Sequence, residues 1–238
     1  MPATHDPRQN QLLAALPSAD LQRWTKHLQW TPLAHGDVLR ELSGPLEYVY
    51  FPTTAVIALV CELADGASNE IAMVGNDGVL GVALFMGGNS ISRAVVTTPG
   101  AAFRMQRSAI NAEFMHSPAT MRILLRYTQS LMTQITQTVV CNRFHSIEQQ
   151  LCRWLLQMLD RQPSRDILLT HEGIAALLGV RREGVTEHAF MLQQAGFIRY
   201  SRGHIKVLDR AGLEKRACEC YDVVRKETDR LLPQRQAA

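Results

Sequence analysis

The chain has 238 residues, of which 46% are hydrophobic and 20% charged, with a formal net charge of +3. That length and composition exclude a disordered chain and suit one large or two ordinary domains. No apolar run approaches the roughly 20 residues of a membrane span. The amino terminus lacks the basic and apolar regions of a secretory signal. Five scattered cysteines do not suggest a secreted disulfide framework. A cytoplasmic protein that does not enter the membrane is expected.

Residues 1–30 read as helical, with Ser18 placed to cap the segment Asp20–Leu28 after Pro17. From Trp30 to about Arg107, short β-rich runs alternate with turn residues: Tyr48–Phe51, Val56–Cys61, Ile71–Val74, Arg93–Thr97 and Ala102–Met105. Asp65-Gly66 fits a hairpin turn between two of them. The spacing predicts a small β-roll, and a cupin-like jelly roll fits the same pattern.

Ser117-Pro118 opens a different segment, with Ser at the cap and Pro at the first helical position. Met121, Leu124, Thr128, Leu131, Ile135, Thr138, Asn142 and His145 recur at alternating intervals of three and four residues. That spacing predicts a dimerisation helix, with Leu124, Thr128, Leu131, Ile135, Thr138 and Asn142 in the seam. A second stripe, Leu125, Met132 and Val139, is expected to pack back on the β domain. Ser146 with Gln149 resembles a capping box, so a new helix should run over Ile147–Asp160 and leave a hinge before it.

The acidic and basic residues balance over residues 1–145, and the excess positive charge lies in residues 146–238. Within that part, residues 170–192 have the spacing of a helix-turn-helix. Thr170 would cap the first helix, whose buried face is Ile174, Leu177 and Leu178. Gly179 would supply the turn and Val180 its plug, with Val185, Ala189 and Leu192 burying the second helix. Arg181, Arg182, Glu183, Thr186 and Glu187 are then exposed at its start. Arg is bidentate to guanine and Glu accepts from cytosine, so this is major-groove chemistry. Residues 196–207 read as two strands around a polar turn, which makes the unit a winged helix. Arg199, Arg202, His204 and Lys206 would meet phosphates.

The order of β-roll, long helix and winged helix resembles the cyclic AMP receptor protein and fumarate-nitrate regulator (Crp/Fnr) family of transcription factors. The resemblance implies an α+β fold with a cyclic-nucleotide-binding-like roll at 1–116, a dimerisation helix at 117–145 and a winged helix-turn-helix at 146–238. It implies a homodimer on double-stranded DNA at an inverted repeat, with RNA polymerase among its partners and a small-molecule effector not identified by the sequence. Arg182 and Glu183 fall on base-reading positions of the cyclic AMP receptor branch, which carries a second Arg where this chain has Glu187. The family's phosphate cassette maps to Gly78–Gly81 and Ser92–Arg93, so Gly78, Gly81, Ser92 and Arg93 are the effector-pocket candidates. Val79 stands where the family places a ribose-binding Glu, and the loop Phe85–Ser90 is longer than the pattern. Cyclic nucleotide binding is therefore not expected.

No resident cofactor or metal is expected. Cys218-Glu219-Cys220 lacks a second Cys/His pair at zinc spacing in the sequence, so both cysteines read as helix residues. Cys61, Cys141 and Cys152 read as buried thiols. No Cys precedes Cys61, unlike the iron–sulfur branch of the family, and nothing marks His27 or His35 as a haem ligand. Catalytic motifs are missing from the sequence and no enzymatic activity is expected. The competing readings are a cupin-like small-molecule enzyme with an accessory winged helix and an adaptor that binds protein rather than DNA. The first needs metal ligands on the strands, yet no His lies between His35 and His116.

Overall fold

The computed structural model describes residues 5–42, 46–86, 88 and 91–232. Gly87, Asn89 and Ser90 of the long loop, and the tail beyond Leu232, lie outside the described residues. Asn10 opens the helical start. Its side-chain oxygen accepts from the amides of Leu12 and Leu13 and so caps α1 (Gln11–Ala14). Its amide donates to the carbonyls of Pro52 and Gly78, each at 2.8 Å, which pins the cap to the β domain. In α2 (Ser18–Thr25), Pro17 holds the cap position and Ser18 is already helical, one residue earlier than expected.

The β domain comprises β1 (Gln29–Leu33), β2 (Val38–Arg40), β3 (Tyr48–Pro52), β4 (Val56–Glu62), β5 (Ser68–Val74), β6 (Arg93–Thr98) and β7 (Gly100–Gln106), with a short α3 (Val82–Phe85) before β6. They form two antiparallel sheets, in the orders β1-β7-β3 and β2-β6-β4-β5. Asp65-Gly66 turns β4 into β5, with Gly66 at φ +85°. The roll core takes Val49, Phe51, Phe103 and Met105 from one sheet and Ile57, Leu59, Ala72, Val74 and Val96 from the other. The alternate residues Val56, Ala58 and Val60 belong to a second core on the outer face. Because β4 is buried on both sides, its apolar run is continuous rather than alternating.

A helix not anticipated from the sequence, α4 (Arg107–His116), follows β7. The long helix α5 (Pro118–Phe144) begins as expected, with Ser117 accepting from the Thr120 amide. Its restart as α6 (Ile147–Arg161) carries the full Ser146–Gln149 capping box. From α6, Leu151, Trp154, Leu155 and Met158 pack on the outer residues of β4 and on Met73. A buried Arg161–Asp77 ion pair of 3.3 Å adds to that contact. The chain ends in β8 (Asp166–Leu168), α7 (His171–Leu178), α8 (Arg182–Gln194), β9 (Ile198–Ser201), β10 (His204–Val207), α9 (Arg210–Arg216) and α10 (Glu219–Leu231). The third sheet has the order β8-β10-β9, and α10 returns to α5, where the Ser130 and Thr228 hydroxyls meet at 2.7 Å. Among the described residues, no helix is long and apolar enough to cross a membrane.

The burial of the two apolar stripes of α5 differs from that expected. Leu124 and Leu131 are buried in the roll core of their own subunit, and Ile135 packs at its edge. The Thr128 and Thr138 hydroxyls donate to the carbonyls of Leu124 and Gln134, and both residues are buried. Thr138 also accepts from Arg153 of α6, and Asn142 donates to Asn69 of β5. These side chains are therefore not a free seam. The stripe expected to pack inward faces out instead, with Leu125 47%, Met132 57% and Val139 63% exposed. The roll, α6 and α10 together cover the first face, and only the second stays open.

Candidate nucleic-acid interface

The helix-turn-helix is built as its spacing requires. Thr170 Oγ1 accepts from the Gly173 amide at 3.1 Å and caps α7. Gly179 ends that helix at φ +66°, a left-handed position that favours glycine. Val180 then donates its amide to the Ala175 carbonyl at 3.0 Å, which closes the turn. Ile174, Leu177 and Leu178 of α7 meet Val185, Ala189 and Leu192 of α8 in the second core. That packing fixes which side of α8 faces out. Arg181 is its cap residue, and Arg182, Glu183, Thr186 and Glu187 follow along the exposed side.

Two residues that the sequence did not single out hold this surface. The His171 ring stacks on Tyr200 of β9, with centroids 3.9 Å apart. Its Nδ1 lies 3.1 Å from Thr186 Oγ1, whose hydroxyl donates to the Arg182 carbonyl. Thr186 has only one proton, so Nδ1–H of His171 is the donor to it. Burial, then the Arg182 charge, lowers the His171 pKa and favours this neutral ring. Sequence periodicity carried no signal for this link, because it joins the cap of α7 to the wing. Arg182 is exposed and lies 3.7 Å from Glu172, an open ion pair of small energetic weight.

The wing is the β9–β10 hairpin. Arg202 and Gly203 both have positive φ, +47° and +82°, the pattern of a type I′ turn. A non-glycine residue there is strained, and the strain projects a cation at the tip. Ile198, Ile205 and Val207 fill the inner face, while Arg199, His204 and Lys206 are exposed. Arg199 and Lys206 stand directly opposite each other, with Asp166 of β8 on the far side of Lys206. Like charges across a strand pair oppose folding, and an anionic partner relieves that cost.

The effector-pocket candidates do not form one cavity. A side chain at Gly78 would collide with the Tyr127 hydroxyl and ring of α5, so this glycine serves helix packing. Gly81, at φ +114°, turns the chain into α3 against Leu46 and Val49. Arg93 points away and pairs with Glu41 at 3.1 Å. The buried cation beside Ser92 is Arg40, whose guanidinium donates to the Ser92 carbonyl and hydroxyl. Arg40, Leu59, Val79, Leu80, Gly81 and Leu131 enclose only about 50 Å³ of free space.

The fold also gathers groups that lie far apart in the sequence. Cys141 and His145 at the end of α5 meet Cys218 and Cys220 at the start of α10. The second Cys/His pair missing from the local sequence around Cys218 is supplied by the end of the long helix and its cap; Cys152 is buried but outside this group, and Cys61, expected to be buried, is only half-buried at the end of β4.

Residues 149–216 match the family model of the Crp-like helix-turn-helix domain. A curated relative, the "CRP-like cAMP-activated global transcriptional regulator" of Mycobacterium tuberculosis, is 24% identical over 201 residues, covering 81% of this chain and 90% of that one. FixK2 from Bradyrhizobium japonicum superposes with a TM-score of 0.69 at 17% identity, covering 80% of this chain and 98% of the other. A Crp/Fnr-family putative regulator from Eubacterium rectale gives 0.67 at 15% identity, covering 87% and 98%.

Proposed function

We infer that this chain, a transcription regulator of the Crp/Fnr type, works as a homodimer that places α8 of each subunit in the major groove of an inverted-repeat operator. The observation that carries this reading is the exposed first turn of α8, which presents Arg181, Arg182 and Glu183 to solvent while the opposite side is buried. Thr186 and Glu187 extend that reading surface by one turn. Thr170, Arg199, Arg202, His204 and Lys206 flank it and suit phosphate contacts.

Dimerisation is assigned to the outer stripe of α5. Leu125, Met132 and Val139 repeat every seven residues, as a helix pair requires, and they are uncovered in one subunit. The three-part division, with boundaries near residues 116 and 145, follows from that role. The cyclic AMP in the mycobacterial relative's name is not carried over to this chain. Ligand pockets typically offer roughly 300–1,000 Å³, well above the space beside Gly81 and Arg40. Val79 brings no hydrogen-bonding group there, and Arg93 is engaged with Glu41. The roll is therefore read as holding another ligand or none, and RNA polymerase and the cytoplasm are the partner and place that the regulatory reading implies.

Selection of bound duplexes from a random pool tests this function. The expected product is an inverted repeat whose half-site centres lie about 10–10.5 bp apart. Recovery of unenriched sequence would point to an adaptor that meets protein through its winged helix.

A further inference from the structure

Cys141 lies in the last turn of α5, and His145 is the residue that caps it, with its amide donating to the Cys141 carbonyl at 3.0 Å, so both stand at the carboxy-terminal end of the helix. Cys218 is the cap residue of α10, and Cys220 lies in its first turn. Packing α10 on α5 brings these pairs together just before the Ser146 restart. Cys141 Sγ lies 3.5 Å from Cys218 Sγ, and Cys220 Sγ lies 3.6 Å from His145 Nδ1. All four ligand atoms lie within 4.8 Å of one another. The three cysteines are buried.

We propose that Cys141, His145, Cys218 and Cys220 form a mononuclear zinc site that clamps the end of the long helix to the last helix of the DNA-binding unit. Zinc takes four ligands tetrahedrally, at about 2.3 Å from sulfur and about 2.0–2.1 Å from nitrogen. Such a tetrahedron has sulfur–nitrogen edges of about 3.6 Å and sulfur–sulfur edges of about 3.8 Å; the Cys220–His145 separation matches the first, and the Cys141–Cys218 separation is about 0.3 Å shorter than the second. The donor set selects against the alternatives. Three thiolates and an imidazole are soft ligands, unsuited to magnesium or calcium. A polynuclear iron–sulfur cluster needs its cysteines spread around several metal atoms, and these are gathered about one point. A Cys141–Cys218 disulfide would use two of the four groups and leave Cys220 and His145 without a role.

The surroundings fit the same ion. His145 turns Nδ1 toward Cys220, and its Nε2 lies 3.3 Å from a Glu219 carboxylate oxygen. A carboxylate on the far nitrogen is the usual means of fixing the tautomer and orientation of a metal-bound histidine. Three thiolates on one zinc ion leave a net charge of −1. Binding releases the thiol protons to solvent as the zinc–sulfur bonds form. Because His145 ends α5 and Ser146 starts α6, the bound ion would hold the hinge in one setting.

Metal binding is tested on the full-length reduced protein, independently of DNA. Zinc is measured by mass spectrometry after dialysis, and cobalt substitution is followed by its visible and near-ultraviolet bands. One equivalent of zinc per chain is expected, with the cobalt spectrum of a tetrahedral thiolate-rich site. Cys141→Ser and Cys220→Ser should each lose the thiolate-to-cobalt band or weaken it strongly, while Cys152→Ala should keep it. Glu219→Ala leaves all four ligands in place and should weaken zinc binding about 10–100-fold. Circular dichroism of each variant separates lost metal from lost fold, and the exposed Glu219 provides the arm least exposed to misfolding. Wild-type protein that is folded and reduced but takes up no zinc would overturn the proposal. So would full zinc retention in a folded Cys141→Ser/Cys220→Ser double variant.

Discussion

On the proposed function, individual residues of the interface separate into those expected to supply specificity and those expected to supply charge. Glu183 is exposed in the first turn of α8, among cations. Replacing it with Ala leaves every cation in place, so affinity for random duplex should hold or rise while the preference for the selected operator falls by roughly 1–3 kcal/mol. Equal losses on both duplexes in a competition assay would remove Glu183 from base reading. A different residue, Glu70 on β5, should make folding stability depend on pH. It is buried where the roll meets α6, and one of its carboxylate oxygens has no hydrogen-bond partner. Burial raises its pKa to about 7, against the opposing pull of Arg153 and Arg161. Below about pH 4.5 the proton is bound in both folded and unfolded chains, and nothing is lost. Between that point and about pH 7 the unfolded chain ionises first, so folding stability falls as pH rises. The full penalty, on the order of a few kcal/mol, persists above pH 7. Glu70→Gln lacks this titration, so its Tm advantage over the wild type should widen from pH 5 to pH 7.5. A pH-independent difference would show that Glu70 ionises freely in the folded chain. Neither the burial of Glu70 nor the Arg40–Ser92 link had a sequence signal, since both depend on strands that pair across long loops.

Among the elements, those whose logic is local were legible from the chain itself. The turn at Gly179, the buried spacing of α8, the Ser117-Pro118 start and the Ser146 capping box all follow from residues within one or two turns of each other. The phase of α5 was not local. Two adjacent apolar stripes have the same period, and periodicity does not say which meets the roll and which meets solvent. The polar members Thr128, Thr138 and Asn142 are instead satisfied within the subunit, by helix carbonyls, Arg153 and Asn69. This assignment makes contrasting predictions for two substitutions three residues apart. Met132→Asp puts a charge on the exposed stripe and should yield folded monomers in sedimentation, with lost affinity for the inverted repeat. Ile135→Asp buries a charge against the subunit's own core and should lower Tm whatever the oligomeric state, by several kcal/mol in stability. If Met132→Asp stays dimeric, the outer stripe of α5 is not the contact between subunits. The cysteine cluster lay beyond sequence reading for a similar reason, since its two halves are separated by the whole winged-helix core.

For the molecule as a whole, the roll and the helix-turn-helix unit share one core. Val56, Ala58 and Val60 of β4 pack on α6, and Ser68 of β5 donates to the Ala176 carbonyl of α7. Direct packing, in addition to α5, therefore joins the roll to the helix-turn-helix. Any switch between two arrangements requires an effector that favours one over the other. The central claim, that α8 reads bases while the wing holds the backbone, is tested most directly by one binding titration. Affinity is measured at several salt concentrations on the selected operator and on a scrambled duplex, for the wild type, Arg182→Ala and Lys206→Ala. Arg182→Ala should cost roughly 1–3 kcal/mol on the operator and much less on the scrambled duplex. Lys206→Ala should weaken both duplexes about equally and reduce the salt slope by about one unit. If Arg182→Ala instead shifts both duplexes by the same factor, Arg182 meets only phosphate, and the placement of α8 in the major groove is contradicted.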